Sequence, residues 1–139
     1  MYDEPKHPRF REYAHRHTKD WSAAVGACDA FVVVHPEYNN SFNAAIKNAI
    51  DYLNFEWRHK PIGLVSYGGV AAGTRAGQAL KQVFAVLGAP VVESIPIPFV
   101  AKFVNDGVLE PNDVMRNAAP AMFDGLLRYQ AALASLRED

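Results

Sequence analysis

Two short segments of the sequence combine residue types that suit contact with a flat ligand. The first reads Pro36-Glu37-Tyr38-Asn39, and the second reads Ser66-Tyr67-Gly68-Gly69. Glycine has no Cβ, so backbone N–H groups in the second segment can approach a planar ring closely. Pro and Asn are also common in ordinary turns, so the first segment by itself is compatible with a simple connection. The chemistry indicated is the binding of a ring by backbone groups.

Each segment follows an apolar run that predicts a strand. The runs are Ala30–Val34, Ile62–Ser66 and, further along the chain, Val91–Ile97. Continuous apolar, β-branched runs are typical of strands that are buried on both faces of a parallel sheet. Ligands of such sheets bind beyond the carboxyl ends of the strands, so the loops Pro36–Asn40 and Tyr67–Gly73 should lie side by side.

The spacing of apolar residues predicts helices between and after these strands. Together with the strands they predict an α/β fold with about three parallel strands flanked by helices. Pro120 is expected to break or kink the last helix. The first predicted helix is capped by Thr18 and has Trp21, Ala24, Val25 and Cys28 on its apolar stripe. The second covers Ser41–Asn54, and the third is marked by apolar residues from Ala76 to Leu87 and ended by Gly88. The better half of the fourth is Ala121–Leu136.

Composition excludes several functional classes. The 139 residues suit a single domain, and a net charge of -1 gives no sign of a general nucleic-acid or membrane-surface binder. The single cysteine allows no internal disulfide framework, and the polar N-terminus has no signal-peptide core. No apolar run approaches the ~20 residues that a membrane helix needs. We therefore expect a cytoplasmic protein without a nucleic-acid or membrane partner.

Other reactive side chains favour structural roles. Lys47 and Asp51 stand four residues apart, as in a helical ion pair. Cys28 is expected to be a small buried residue. The five histidines show no metal-ligand spacing, so no metal site is predicted. Glu37 could act as a general base, but a position set by backbone geometry is favoured.

Several motifs resemble those of the NADPH-dependent FMN reductase family. Pro36-Glu37-Tyr38-Asn39 followed by Ile46-Lys47-Asn48-Ala49-Ile50-Asp51 resembles its PEYN…LKNAxD signature. Ser66-Tyr67-Gly68-Gly69-Val70 resembles the SYGG loop of one branch of the family. The likeness extends roughly from Tyr2 to Phe99.

The resemblance implies a flavodoxin-like fold that binds FMN and takes hydride from NADPH or NADH. The electrons would pass to a small acceptor such as a quinone, a free flavin, an azo dye or a metal oxyanion, and the protein would be a homodimer or homotetramer. No catalytic residue is named, because the flavin supplies the hydride chemistry. N–H donors at Gly68-Gly69 and the helix N-terminus after Gly73 are expected to favour the reduced flavin. The implied flavin contacts are Pro36, Glu37, Tyr38, Asn39, Ser66, Tyr67, Gly68 and Gly69.

The sequence departs from the family pattern at its start. Family members begin with a strand and a G-S-x-R-x-x-S loop for the FMN phosphate, and neither is found here. We therefore expect residues 1–139 to form one flavodoxin-like domain that is incomplete at its N-terminus, with weakened or lost FMN binding. The strand Phe31–Val34 would become a bare apolar edge, to be covered by residues encoded upstream or by a partner. The alternative function is a flavin-free remnant that serves as an oligomerising or partner-binding module.

Overall fold

A computed structural model describes residues 1–137 as three parallel strands, four α-helices and a small hairpin. The sheet has the order β1-β2-β3, so β1 is an edge strand. This confirms the α/β class and the three-strand parallel sheet. The elements are α1 (Arg16–Gly26), β1 (Phe31–Pro36), α2 (Ala44–Asp51), β2 (Ile62–Tyr67), α3 (Thr74–Val86), β3 (Val91–Ile97), the hairpin strands β4 (Val104–Asn105) and β5 (Val108–Leu109), and α4 (Asp113–Leu133).

The main core lies on the face of the sheet that α3 covers. Ile62 and Leu64 of β2 meet Leu80 and Phe84 of α3, and all four are almost fully buried. Trp57 joins this core and makes edge contacts with Phe31, Trp21 and Phe84. Gly88, with φ of 70°, ends α3 as predicted.

The other face of the sheet is covered by α4 only over β2 and β3. A Cβ at Gly63 would come within 2.9 Å of the Met122 sulfur, which shows how closely α4 approaches β2. Val32 and Val34 of β1 pair with Gly63 and Val65, yet both are exposed, Val34 at 62%. The prediction that this strand is buried on both faces is therefore wrong. It is buried only toward α3.

The first helix begins earlier than predicted, and its buried stripe is different. The helix starts at Arg16 after His15, so Thr18 lies inside it and is fully buried instead of capping it. Val25 is buried as expected, but Cys28 follows the helix end and is exposed. Thr18 and Val25 lie seven residues apart, two helical turns, and define the face that packs inward.

The second and fourth helices also differ from prediction. Asn43, and not Ser41, caps α2 by accepting the N–H of Ile46 at 2.9 Å. Pro120 does not end α4, which runs through it from Asp113 to Leu133. Because proline has no N–H, the carbonyl of Arg116, four residues earlier, has no helical donor. Pro120 is exposed, so this carbonyl can bond water instead.

Two carboxylates order residues 1–15, the N-terminal arm: Glu4 within the arm itself and Glu56 on the body of the fold. Glu4 accepts the backbone N–H groups of Ala14 and His15 at 2.7 and 3.0 Å, beside the start of α1. Glu56 accepts the Tyr13 hydroxyl at 2.8 Å and the Ser22 hydroxyl at 2.7 Å. Burial alone would raise the pKa of Glu56, but these bonds outweigh it and lower that pKa.

Candidate functional site

The two predicted loops follow neighbouring strands, since Pro36 at the end of β1 pairs with Tyr67 at the end of β2. We call residues 36–41 and 67–73 the carboxyl-edge loops. In the first, the backbones of Tyr38 and Ser41 exchange two hydrogen bonds of 2.8 and 3.0 Å. Asn39 and Asn40 between them have φ of 49° and 66°, as in a type I′ turn. The turn presents Tyr38, 62% exposed, and Asn39 outward.

The glycine loop is fixed by a third segment that follows β3. The carbonyls of Gly68 and Gly69 accept the N–H groups of Val100 and Phe99 at 3.1 and 3.0 Å. The N–H of Gly68 itself donates to Ile97 at 3.3 Å, so it is not the open donor that the sequence suggested.

Open donors lie slightly further along the same loop. Among residues 1–137, the N–H groups of Gly69, Val70 and Ala71 find no acceptor. Gly69 is exposed, and a Cβ added there would meet nothing within 4 Å. This stretch therefore leaves both space and backbone donors for the edge of a ligand.

Glu37 connects the first carboxyl-edge loop to the start of α3, the helix that follows the second loop. Its carboxylate accepts the backbone N–H of Arg75 at 3.0 Å and the Arg75 guanidinium at 2.8 Å, and the side chain is only 12% exposed. The bond from the guanidinium, together with the N–H groups of Arg75 and Ala76, holds the pKa of Glu37 below its ordinary value. Glu37 therefore lies in a helix-capping contact, without the freedom of an open general base.

This contact changes the expected electrostatics of the site. The N-terminus of α3 was expected to face the ligand with free donors, but Glu37 occupies the N–H groups of its first turn. A carboxylate at a helix N-terminus compensates the positive end of the helix dipole. The open donors at this edge are therefore those of the loop and not those of α3.

Ser66 and Tyr67, two of the predicted flavin contacts, differ in exposure. Ser66 is buried, and it lines a cavity of about 50 Å³ between β2, β3 and α3. Tyr67 is half-buried at the end of β2. A ligand at this edge would meet the backbone of these residues before the Ser66 hydroxyl.

His35 is a neighbour of the site that sequence reasoning did not single out. Its ring is fully buried, and Nδ1 lies 3.1 Å from the carbonyl of Pro36. Because a carbonyl only accepts, Nδ1 is the donor in this bond. Within the described residues no donor reaches Nε2. The position of His35 directly before Pro36 was the sequence feature that could have indicated that it lies beside the site.

The remaining candidates lie apart from the carboxyl-edge loops. Lys47 and Asp51 form the predicted ion pair on α2. No group of histidines, cysteines and acids within residues 1–137 could hold a metal ion, and no helix there is long and apolar enough to cross a membrane. A larger cavity of about 250 Å³ lies between α1 and α2, lined by His17, Thr18, Trp21, Ala49 and Tyr52.

The residues at the edge fit one part of FMN better than another. Open N–H groups beside an unobstructed glycine suit the polar edge of a flat isoalloxazine. A phosphate needs several donors, and those at the start of α3 are already bonded to Glu37. The described residues therefore fit the ring, while α3 offers no phosphate site.

The comparison with protein families agrees with this geometry. The model described as NADPH-dependent FMN reductase matches residues 1–101. An NAD(P)H-dependent FMN reductase of Nectria sp. is 36% identical over 78% of this chain and 59% of its own length. One of Schizosaccharomyces pombe is 39% identical over 80% of this chain and 56% of its own length. The chain thus spans little more than half the length of these relatives.

A solved structure supports the fold. The flavoenzyme NAD(P)H:(acceptor) oxidoreductase FerB from Paracoccus denitrificans has a TM-score of 0.71 with 20% identity, over 92% of this chain and 76% of its own. At this identity the likeness shows the shared fold alone.

Proposed function

Because the chain belongs to the NADPH-dependent FMN reductase family, we propose that it acts as an FMN-dependent NAD(P)H oxidoreductase. Bound FMN would accept hydride from NAD(P)H and pass the electrons on. With a quinone as acceptor, NAD(P)H, one proton and the quinone give NAD(P)+ and the hydroquinone. A free flavin or an azo compound would serve as acceptor in the same way.

The observation that carries this proposal is the pair of carboxyl-edge loops. They follow adjacent parallel strands, the first is bonded through Glu37 to Arg75 at the start of α3, and the second keeps open N–H groups. Ligands of parallel sheets bind at this edge. We assign the flavin ring to the space beside Gly69, with the outward turn at Tyr38 and Asn39 along it.

The protein residues in this proposal position and polarise. Glu37 holds the first loop against the start of α3, which directly follows the second loop. The N–H groups of Gly69, Val70 and Ala71 would donate to the ring edge where negative charge gathers on reduction, and fixed donors of this kind stabilise such charge. His35 supports the loop from beneath through the Pro36 carbonyl. No side chain needs to transfer a proton to the ring.

Binding and reduction of the flavin test the proposal. The purified chain is mixed with FMN, separated from free flavin and reduced anaerobically with NADPH. We expect a yellow protein whose absorbance near 450 nm disappears on reduction, because ring binding and hydride transfer occur in one site. A chain that retains no flavin at saturating FMN would contradict the proposal.

A second candidate function is supported by the open side of β1. Val32 and Val34 on this edge strand and Phe123 and Leu127 on α4 are exposed apolar side chains. Unpaired strand edges recruit further strands, so a flavin-free module that binds a partner or a second copy would use this surface. Such a module would remain colourless when mixed with FMN. In size-exclusion chromatography it would elute as a complex with its partner or with a second copy.

The extent of the domain and its assembly belong to the same proposal. We propose that residues 1–139 are part of a flavodoxin-like domain whose further strand covers β1 and whose further loop holds the FMN phosphate. We also propose a cytoplasmic homodimer or homotetramer. Light scattering of the chain with and without FMN measures the assembly.

A further inference from the structure

The segment that follows β3 contains a strained aromatic residue beside the glycine loop. Phe99 has φ of 50°, in the left-handed region that bulky residues rarely adopt. Such a conformation persists only where neighbouring bonds enforce it, and it concentrates at functional sites. Here the enforcing bonds are the N–H groups of Phe99 and Val100, which donate to the carbonyls of Gly69 and Gly68 at 3.0 and 3.1 Å. The strain therefore ties Phe99 to the carboxyl-edge loops.

The ring of Phe99 gains no burial in return for this strain. It is 47% exposed and lies outside the main core. The ammonium group of Lys102 lies 5.0 Å from the ring centroid, in cation–π contact. A glycine or asparagine would adopt this φ more easily. An exposed aromatic ring with a cation over one face is thus maintained on a residue whose backbone is bonded to Gly69.

We propose that Phe99 is a specificity-determining residue whose ring face opposite Lys102 stacks on a planar aromatic electron acceptor carrying a negative charge. The inference rests on the proposed function, since the acceptor would lie beside the flavin. Offset stacking of aromatic rings is favourable, and the Lys102 ammonium would attract an anionic substituent such as a sulfonate. Sulfonated quinones and sulfonated azo compounds combine both features.

The test measures acceptor binding without turnover. The full chain loaded with FMN is titrated in its oxidised state with anthraquinone-2-sulfonate, using Phe99→Ala, Phe99→Trp and Phe10→Ala. Phe10 is a matched control, because it is 53% exposed and the Arg9 guanidinium lies 4.8 Å from its ring. We expect Phe99→Ala to raise the dissociation constant about tenfold, the order of a lost aromatic stack. Phe99→Trp and Phe10→Ala should stay near the wild-type value.

Two further measurements separate an acceptor role from a structural one. Phe99→Gly relieves the strained φ, so it should raise the midpoint temperature of thermal unfolding. It should also weaken the binding of anthraquinone-2-sulfonate as much as Phe99→Ala does. In turnover, Phe99→Ala should raise KM for a sulfonated naphthoquinone, whereas the control Phe10→Ala should leave both KM and kcat unchanged. Lys102→Gln should weaken the binding of the sulfonated quinone more than the binding of an uncharged quinone.

The outcomes distinguish the two proposals. If the chain binds FMN and is reduced by NADPH, but Phe99→Ala binds anthraquinone-2-sulfonate as tightly as the wild type, the role of Phe99 is refuted and the proposed function stands. If Phe99→Ala instead changes only assembly, the ring belongs to an interface and the inference is equally refuted. If the wild-type chain binds no FMN, the proposed function fails and this inference fails with it.

Discussion

A carboxylate that accepts backbone N–H groups beside the start of a helix occurs in two regions of the chain. In the N-terminal arm, Glu4 binds the N–H groups of Ala14 and His15, and Glu56 secures the arm nearby. At the carboxyl edge, Glu37 binds the N–H of Arg75 at the start of α3. In the first region the acceptors Glu4 and Glu56 are buried, whereas the second contact joins a loop to α3 at an edge that stays open to solvent. The same interaction therefore stabilises the N-terminal arm in one place and the candidate site in the other.

The largest effect is expected in the arm. Glu56→Ala would leave the partly buried hydroxyl donors of Tyr13 and Ser22 without an acceptor. We expect the free energy of unfolding to fall by about 2–4 kcal/mol, measured by urea denaturation. The flavin affinity of the chain that remains folded should be unchanged. A large loss of flavin affinity at unchanged stability would contradict the division between the two regions.

The opposite pattern is expected for Glu37→Gln. The charged contact to Arg75 disappears, the loops separate more easily, and the FMN dissociation constant should rise about tenfold, as expected for loss of a charge-assisted bond. Stability should change little, because the contact lies at the surface. Asp51→Asn is the matched control, since it removes one carboxylate from the exposed pair with Lys47 and should alter neither quantity. Equal effects of the two variants would refute the role of Glu37.

The dependence of FMN binding on pH follows from the same residue. The pKa of Glu37 is lowered in the folded chain from an ordinary value of 4.5. Its contribution is therefore complete above that value and is lost as the pH falls through the lowered pKa. Flavin fluorescence titrations from pH 7 downward should show constant affinity until the acid range and then a decline. Glu37→Gln should lack the part of the decline that Glu37 causes.

A smaller effect is expected beneath the first loop. His35→Leu removes the donor to the Pro36 carbonyl, and we expect FMN binding to weaken about threefold, as for one neutral hydrogen bond. His35→Asn keeps a donor near the position of Nδ1 and should restore most of the affinity. Identical affinities for both variants would show that this bond does not position the loop.

The differences between sequence and structure follow the range of the interactions involved. The three strands could be predicted, because runs such as Ile62–Ser66 are local and apolar. The cap of α2 was misplaced from Asn43 to Ser41, since two polar residues close together both suit that position. The exposure of Val34 depends on how far α4 extends across the sheet, which no local pattern encodes.

The candidate site was predictable in its location and not in its connections. The strand ends placed the two segments at one edge, and in the structure Pro36 pairs with Tyr67 there. The partner of Glu37 is Arg75, 38 residues further along, so no helical or strand spacing relates them. The left-handed backbone of Phe99 also depends on bonds to Gly68 and Gly69, thirty residues away.

The most direct test of the account is the location of the flavin ring. Amide ¹H–¹⁵N spectra of the chain are recorded during titration with FMN and, separately, with riboflavin, which has the same ring and no phosphate. We predict that both ligands shift the amides of Gly69, Val70 and Ala71, and that Glu37→Gln reduces these shifts at equal ligand concentration. Amide shifts confined to the cavity around Trp21 and Ala49, or no amide shift with either ligand, would contradict the proposed location of the flavin ring.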